Sequence, residues 1–327
     1  MSGGMRLNNS ISAEYEAVKT GCAWMERRDR GVLVVTGEDR LSWLQSLLSN
    51  DIRSLNTPCQ AIPAFLLNPS GHILADINVV LRMEEAILDI PRIVLDRTLQ
   101  YLNRYIIEER VRITNLTGDL FVFTLLGAAM CENIASQFTM GNSCVAPSDR
   151  TGYGEYDIYI PADLTQNCIQ LMEKANIRQI SEQTADILRV EAGLPKYGMD
   201  MDESTLSPEC DTSNRRISLT KGCYPGQEVV ARIVSRGHVN RSLCGLLIDS
   251  SSIPAPRTKL YFKEGDSTAE AGWITSAVYS PSMDSIIALG YIRSDYSSDG
   301  VRLVSSNEEP SVEATVARLP FLVSSAQ

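Results

Sequence analysis

The sequence predicts an α+β fold followed by an all-β segment. In the first 240 residues, short runs rich in β-branched residues alternate with segments whose apolar residues recur every three or four positions, the spacing of an amphipathic helix. After about Arg241 this helical spacing ends, and short apolar runs alternate with Gly, Pro, Ser and Asp turns. Several short strands spaced in this way predict a small antiparallel barrel or sandwich.

The elements of the first half follow from local patterns. Gly31–Thr36 is an apolar run that predicts a buried strand, and leucines three or four apart predict a helix over Arg40–Ser49. The turn Asn68-Pro69-Ser70-Gly71 suits a type I geometry and predicts a hairpin between the β-rich runs on either side of it. Further strands are predicted at Ile62–Leu67, Gly71–Leu81, Ala86–Ile90, Val111–Asn115, Phe121–Leu125 and Tyr156–Ile160, and helices from Pro91 and near Ala128–Phe138, Leu164–Ala175 and Glu182–Ala192.

The C-terminal strands are predicted one by one from the same runs. They are Leu243–Ile248, Lys259–Phe262, Ala271–Val278, Ile286–Ile292, Val301–Ser305 and Val312–Leu319. A chain of 327 residues is long enough for two or three domains at about 100–200 residues each. We therefore expect two interleaved α+β subdomains in residues 1–240, divided near residue 111, and a β-barrel domain in residues 241–327.

Composition narrows the classes of function. The balance of 30 basic and 40 acidic residues gives a net charge of −10, which argues against broad attraction to nucleic-acid backbones. No apolar run approaches the roughly 18–20 residues that span a bilayer, and the polar N-terminus predicts a cytoplasmic protein. Eight scattered cysteines without a Cys-x-x-Cys pair favour free thiols, and with only two histidines no metal site is expected.

The segment KGCYPGQE at residues 221–228 combines a cation, a thiol, two glycines and a proline. Its glycines let backbone N–H groups approach a ligand, and Lys221 would favour the thiolate of Cys223. A reactive or ligating cysteine is one interpretation of this cluster. The other is a tight turn in which Cys223 is a small buried apolar group.

Five blocks in the same order resemble the YgfZ-like branch of the glycine-cleavage T-protein (GcvT) superfamily. KGCYPGQEVVAR is similar to the signature of that branch, and Arg189–Gly198 resembles the superfamily segment R-(I/V)-E-A-G-(L/M)-x-x-Y-G. The remaining blocks are VTGEDR with WLQ at residues 35–45, the hairpin at 67–76, and the ITSA, SP and IALGYI segments between 274 and 292. The resemblance covers roughly residues 20–323.

The resemblance implies a GcvT-like fold: two ferredoxin-like α+β domains and a C-terminal antiparallel β-barrel around a central folate-binding opening. It implies tetrahydrofolate or a one-carbon derivative as cofactor, with Glu191 as the anchor of the pterin ring, since a carboxylate accepts paired hydrogen bonds from amino and N–H groups. Tyr197, Lys221, Gly222 and Gln227 of the same motifs are assigned to cofactor binding. Arg232 and Arg241 are expected to pair with the glutamate tail of folate.

Asp76 and Cys223 are the candidate catalytic residues. T-proteins carry an adjacent Asp-Asp pair in the hairpin, and here Asp76 follows Ala75, which puts aminomethyl transfer in doubt. The alternative for Asp76 is a solubilising residue at a strand end. His72 and His238 have no Ser or Asp partner at motif spacing, so both are expected to be turn or surface residues.

Three hypotheses for function stay open. The first is a tetrahydrofolate-binding accessory factor that supports the assembly or repair of iron–sulfur proteins, and tRNA modification, with iron–sulfur proteins or their assembly factors as partners. The second is a folate-dependent one-carbon (aminomethyl) transferase. The third is a thiol redox protein that uses Cys223 without folate. No membrane partner is expected, and direct nucleic-acid binding is not favoured by the acidic net charge.

Overall fold

Two five-stranded sheets and one closed barrel organise the part of the chain that the structure describes. This structure is a computed structural model, and it describes residues 8–127, 130–138, 141–210, 215–237, 239–265, 267–305 and 312–322. No helix in these residues is long and apolar enough to cross a membrane.

The helices and strands have the following bounds. The α-helices are α1 (Asn9–Thr20), α2 (Arg40–Leu47), α3 (Leu95–Asn103), α4 (Met130–Ala135), α5 (Thr165–Lys174), α6 (Glu182–Glu191), α7 (Ser207–Cys210) and α8 (Gln227–Arg236). The strands are β1 (Cys22–Glu26), β2 (Arg30–Thr36), β3 (Ala61–Leu67), β4 (Ile73–Leu81), β5 (Glu85–Pro91), β6 (Arg112–Asn115), β7 (Leu120–Gly127), β8 (Cys144–Ser148), β9 (Glu155–Pro161), β10 (Arg178–Gln179), β11 (Arg241–Asp249), β12 (Lys259–Glu264), β13 (Ser267–Ser280), β14 (Ser285–Arg293), β15 (Arg302–Ser305) and β16 (Glu313–Ala317).

The first sheet has the order β3-β4-β5-β2-β6 and is antiparallel throughout. Its strand β2 is buried on both faces, which explains the continuous apolar run in the sequence. Leu33 and Val35 belong to the large core that also contains the buried leucines of α2 and α3. Val32 and Val34 face the other way and pack with Val122 and other residues of the second sheet. The two sheets are therefore packed face to face.

The second sheet has the order β10-β1-β7-β9-β8. Strand β1 comes from the N-terminal part of the chain and pairs in parallel with β10 and antiparallel with β7. The chain thus enters the second sheet, builds the whole first sheet, and returns to the second after β6. This exchange of strands interleaves the two sheets.

The C-terminal strands close into a barrel in the order β11-β14-β13-β12-β15-β16. Its interior is filled by its own apolar cluster, which includes Leu246, Leu260 and Ile274. The predicted α+β region and the antiparallel barrel are confirmed. Strands β1 and β8 were not predicted, because each is only five residues long and β8 contains a proline, which weakens a strand signal. Helix α1 was not predicted either.

The expectation of free thiols is wrong for one pair of cysteines. A disulfide joins Cys22 to Cys131, with a Cα–Cα distance of 5.7 Å and a sequence separation of 109. Cys22 begins β1 and Cys131 lies in α4, and both pack in the core of the second sheet. Only the return of the chain to this sheet brings them together, so spacing along the sequence gave no signal of it. Cys59, Cys144, Cys168, Cys223 and Cys244 carry free thiols.

Candidate functional site

A cavity of about 350 Å³ lies between the two sheets and α6; we call it the central cavity. Each of these elements contributes to its wall: Arg30 and Asp76 come from the first sheet, Met25 from β1, and Asp186 and Arg189 from α6. Among the described residues that line it, eight side chains are cationic and four are acidic. A concave site of this size with an excess of cations suits a small anionic ligand.

Asp76 lies on β4 at the wall of the central cavity. Its Oδ1 accepts a hydrogen bond of 2.8 Å from Nε of Arg216, and its side chain is 16% exposed. None of the described residues donates a hydrogen bond to its Oδ2. Ala75, which precedes it, is fully buried in the core behind the sheet. A second acid at position 75 would therefore point away from the cavity.

A network of buried ion pairs lies between the two sheets behind this wall. Asp89 on β5 pairs with both Arg30 and Arg150, and Arg150 also pairs with Asp157 on β9. Burial by itself would raise the pKa of Asp89, but Arg150 and Arg30 hold it below its ordinary value. These charges fix the arginines that line the cavity and join the first sheet to the second.

An adjoining cavity of about 220 Å³ continues from this site. It shares Arg30, Asp76, Arg150 and Arg216 with the central cavity. Its remaining wall includes Ala61 and Pro63 of β3 and Pro147 and Ser148 of β8, the facing strands of the two sheets. The two cavities thus meet at the Asp76–Arg216 ion pair.

Tyr197 is the other predicted site residue that lines the central cavity. Its hydroxyl donates to the carbonyl oxygen of Leu74 at 3.0 Å and accepts from Arg97 at 3.2 Å. Burial raises its pKa, with Arg97 opposing this effect. The contact with Leu74 ties the R-x-E-A-G segment to the strand that carries Asp76.

Glu191 is fully buried at the end of α6 and does not line either cavity. Its carboxylate accepts hydrogen bonds from Tyr15 at 2.8 and 2.9 Å, from Ser280 of the barrel, and from Tyr153 at 3.4 Å. Burial raises its pKa, while the hydrogen bonds from Ser280 and Tyr15 lower it. The predicted pterin anchor therefore joins α1, α6 and the barrel, and protein donors already occupy both of its oxygens.

Lys221 does not face the cavities either. Its Nζ donates to three backbone carbonyl oxygens at the end of α2, those of Gln45 at 2.6 Å, Leu48, and Asn50 at 2.9 Å. Burial lowers the pKa of Lys221 to about 8. All three ammonium donors are occupied, so this lysine anchors its loop to α2 and the end of that helix attracts its charge.

Cys223 is exposed on the loop that Lys221 anchors, so the interpretation as a buried apolar group is wrong. A Cβ atom added at Gly222 would meet no atom of the described residues within 4 Å. Gln227 opens α8 and its Nε2 donates to the Lys221 carbonyl oxygen at 3.2 Å. Neither cavity includes Gly222, Cys223 or Gln227 in its wall.

The two arginines assigned to the glutamate tail lie elsewhere. Arg232 is exposed on α8. Arg241 pairs with Glu209 at 3.1 Å and its guanidinium lies over the rings of Trp273 and Tyr291, at 4.9 and 5.3 Å. These contacts hold β11 to α7 and occupy the side chain. His72 lies in the β3–β4 turn and bridges to Leu206, as expected for a turn residue, and His238 lies outside the described residues.

The structure thus brings Asp76 and Tyr197 together and leaves the other predicted residues outside the cavities. The cavity arginines were not predicted from the sequence; among them are Arg30, Arg150, Arg189 and Arg216. Two signals were present in the acidic chain: the clusters RRDR at residues 27–30 and RR at 215–216. They could not be joined to Asp76 without knowing that the two sheets face each other.

Comparison with known proteins adds to this geometry. The model of the glycine cleavage T-protein N-terminal domain matches residues 5–146, and that of the T-protein C-terminal barrel domain matches residues 241–322. The glycine cleavage system aminomethyltransferase T from Bartonella henselae has a TM-score of 0.84 with this chain at 19% identity, over 95% of this chain and 89% of the other. The two proteins share a fold, and the fold implied by the resemblance is confirmed.

Two other solved structures are similar only in part. The heterotetrameric sarcosine oxidase from Corynebacterium sp. U-96 matches at 14% identity over 52% of this chain and 95% of the other, with a TM-score of 0.28. The regulatory subunit of aspartate kinase from Thermus thermophilus matches at 11% identity over 48% and 97%, also with a TM-score of 0.28. Scores this low support no conclusion about fold or function.

Proposed function

Because the chain belongs to the glycine cleavage T-protein superfamily, we propose that it binds tetrahydrofolate, or a one-carbon derivative of it, in the central cavity. The observation that carries this proposal is the composition of the wall, in which Asp76 stands among an excess of cationic side chains. A folate has one end that donates hydrogen bonds and one end that bears carboxylates. The cavity offers a partner to each.

Asp76 is the acid best placed for the pterin ring. A pterin presents an amino group and a ring N–H side by side, and a carboxylate oxygen accepts a charge-assisted hydrogen bond from either group. Oδ2 of Asp76 has no donor among the described residues, whereas both oxygens of Glu191 are occupied by protein donors. We assign the pterin contact to Asp76, and we assign Glu191 to holding α6 in place.

The carboxylates of the tail then lie toward the exposed cations at the cavity edge. Arg92 and Arg28 line the central cavity and are exposed, and Arg28 pairs only with Glu26 at 2.8 Å among the described residues. Arginine forms strong, directional hydrogen bonds with carboxylates. These two replace Arg232 and Arg241 in the assignment.

For the role of the bound folate we propose an accessory factor for iron–sulfur proteins, with Cys223 as the group that engages them. The thiol is exposed on an open loop, and this loop packs on the turn of the hairpin that carries Asp76. Folate and thiol therefore act on one structural unit. A single thiol cannot hold a [4Fe–4S] cluster, which takes about four cysteines, so the iron–sulfur protein or its assembly factor supplies the other ligands.

The rival function is one-carbon transfer from an amine to tetrahydrofolate. Asp76 favours it, because an acid on the cavity wall lies within reach of a bound donor. Incubation with tetrahydrofolate and candidate amines distinguishes the two functions. Formation of methylene-tetrahydrofolate by the wild type, lost in Asp76→Ala, supports the transferase and overturns the accessory role.

The accessory role predicts a different pair of results. Calorimetric titration with tetrahydrofolate shows binding by both wild type and Cys223→Ser, since Cys223 lies outside the cavities. In a strain that lacks the protein, wild type restores the activity of iron–sulfur enzymes and Cys223→Ser does not. Absence of binding by the wild type defeats both folate functions and leaves the thiol redox hypothesis.

A further inference from the structure

Another cavity, of about 210 Å³, lies between α3 and the β3–β4 hairpin; we call it the α3 cavity. The hairpin contributes Leu66 and Leu74 to its wall, and α3 contributes side chains between Arg97 and Arg104. None of the described residues that line it belongs to the wall of the central or the adjoining cavity. It is therefore a separate site, independent of the folate binding proposed above.

The lining residues of α3 lie along one side of the helix. Arg97, Tyr101 and Arg104 follow one another at spacings of four and three residues, so they share one face of α3. The seven steps from Arg97 to Arg104 correspond to roughly 10 Å along the helix axis. The cavity thus runs along this face of α3, with Leu66 and Leu74 of the hairpin opposite.

The two arginines of this face differ in what they contact. Arg97 pairs with Glu203 and donates a hydrogen bond to the Tyr197 hydroxyl at 3.2 Å. Arg104 is exposed at the end of α3, and its guanidinium makes no hydrogen bond or ion pair within the described part of the chain. Arginine binds carboxylates through strong, directional hydrogen bonds. Arg104 is therefore the cation that the α3 cavity offers to a carboxylate ligand.

Thr98 supplies a second polar group. It lines the α3 cavity and is 1% exposed. Its Oγ1 is buried and has no hydrogen-bond partner among the residues that the structure describes. A hydroxyl in this state has lost its contacts with water without a replacement, which is unfavourable. Because threonine in a helix adopts either of two χ1 rotamers, this hydroxyl can turn toward a polar group of a ligand in the cavity.

The volume of the cavity and its apolar wall determine the body of the ligand. An apolar cavity of about 150 Å³ holds one benzene molecule, so about 210 Å³ has room for one aromatic ring with small substituents. Leu66 and Leu74 offer apolar contacts to such a ring. The volume lies below the roughly 300–1,000 Å³ of sites for drug-sized molecules, which excludes larger ligands.

We propose that the α3 cavity binds a small aromatic monocarboxylate whose ring carries a hydroxyl group, with 4-hydroxybenzoate as the simplest example. The ring packs against Leu66 and Leu74, and the carboxylate pairs with Arg104. The ring hydroxyl forms a hydrogen bond with Oγ1 of Thr98. Each of the three parts of the ligand thus has a partner in the wall.

Calorimetric titration of the full-length protein with 4-hydroxybenzoate and with benzoate tests this assignment. The wild type is expected to bind both acids, and 4-hydroxybenzoate about threefold to tenfold more tightly, because benzoate leaves the Thr98 hydroxyl without a partner. Thr98→Val removes that hydroxyl and is expected to abolish the preference. Arg104→Met is expected to weaken the binding of both acids by at least about tenfold. Arg302→Met, at an exposed arginine of β15, is the matched control and leaves both affinities unchanged.

Urea unfolding of the free protein shows whether the Thr98 variant is folded and whether the hydroxyl lacks a partner. Thr98→Val replaces an unpaired buried hydroxyl by a methyl group, so it is expected to unfold at a higher urea concentration than the wild type. A lower midpoint would overturn the role given to Thr98. The site itself is overturned by absence of binding to the wild type, by equal affinity of the wild type for the two acids, or by affinities that Arg104→Met leaves unchanged.

Discussion

Gly226 lies so close to Asn68 that a Cβ atom at position 226 would be 2.5 Å from the Asn68 carbonyl oxygen. Gly226 also has a φ of +82° and precedes the first residue of α8. The contact seats the loop of Cys223 on the turn of the β3–β4 hairpin. Two motifs separated by about 150 residues thereby become one surface, with the thiol on the loop and Asp76 on the hairpin strand.

Gly226→Ala is expected to destabilise the protein by at least about 2 kcal/mol. A left-handed conformation costs a non-glycine residue roughly 1–2 kcal/mol, and the added Cβ overlaps backbone atoms that cannot rotate away. Urea unfolding measures the change in the free energy of unfolding. Gly222→Ala is the matched control: its Cβ meets no atom within 4 Å in the described part of the chain, so a change of less than about 0.5 kcal/mol is expected. Equal effects at the two positions would contradict the packing described.

Lys221→Met is expected to lower stability and to leave folate affinity unchanged. The substitution keeps most of the aliphatic length but removes the donors to three carbonyl oxygens, at a cost of about 2–3 kcal/mol. Unfolding in urea and titration with tetrahydrofolate are measured on the same preparation. A large loss of tetrahydrofolate affinity with unchanged stability would show that Lys221 contributes to ligand binding.

The sequence predicted most of the fold because its signals are local. Gly31–Thr36 and the leucines after Arg40 fix a strand and a helix through apolar spacing alone, and the Asn68–Gly71 turn fixes a hairpin. The site is not local. Arg30, Asp76 and Arg216 come from three separate segments, and only sheet packing brings them together. Glu191 is a second example, because residue type and motif do not reveal which face of α6 lines a cavity and which face contacts Tyr15.

Asp76→Asn and Glu191→Gln are expected to differ in their effect on tetrahydrofolate binding. Loss of a charge-assisted hydrogen bond to the pterin costs about 1.5–3 kcal/mol, so Asp76→Asn weakens binding by a factor of roughly 10–150. Glu191 lies outside the cavities, so its substitution changes affinity by less than about threefold, or about 0.7 kcal/mol. Calorimetry at pH 7 measures both. The reverse order of effects would restore Glu191 as the pterin anchor.

Glu191 also predicts a pH dependence of stability. Burial raises its pKa above the ordinary value of 4.5, so the folded protein binds this proton more tightly than the unfolded chain. The resulting stability is fully present below pH 4.5 and is lost as pH rises through the raised pKa of Glu191 in the folded protein. Glu191→Gln removes this component. Relative to the wild type, the variant is therefore expected to gain stability between pH 4.5 and pH 7, as followed by urea unfolding at each pH. A constant difference across that range would show that the carboxyl group titrates normally.

Arg150 is the cation that joins the buried acids of the two sheets, and its removal is expected to have the largest effect on stability. Arg150→Met leaves Asp157 without its ion pair and Asp89 with Arg30 alone. Breaking a buried pair from one side costs about 3–5 kcal/mol, because the charge that stays behind is uncompensated. Arg110 provides the control, since its pair with Glu38 is three-quarters exposed on both sides and Arg110→Met should cost less than about 1 kcal/mol. If the ion-pair network is the cause, adding Asp157→Asn to Arg150→Met recovers part of the lost stability, because it removes one of the two carboxylates that Arg150 neutralised. A double variant less stable than Arg150→Met alone would show that Arg150 stabilises the protein through its packing instead.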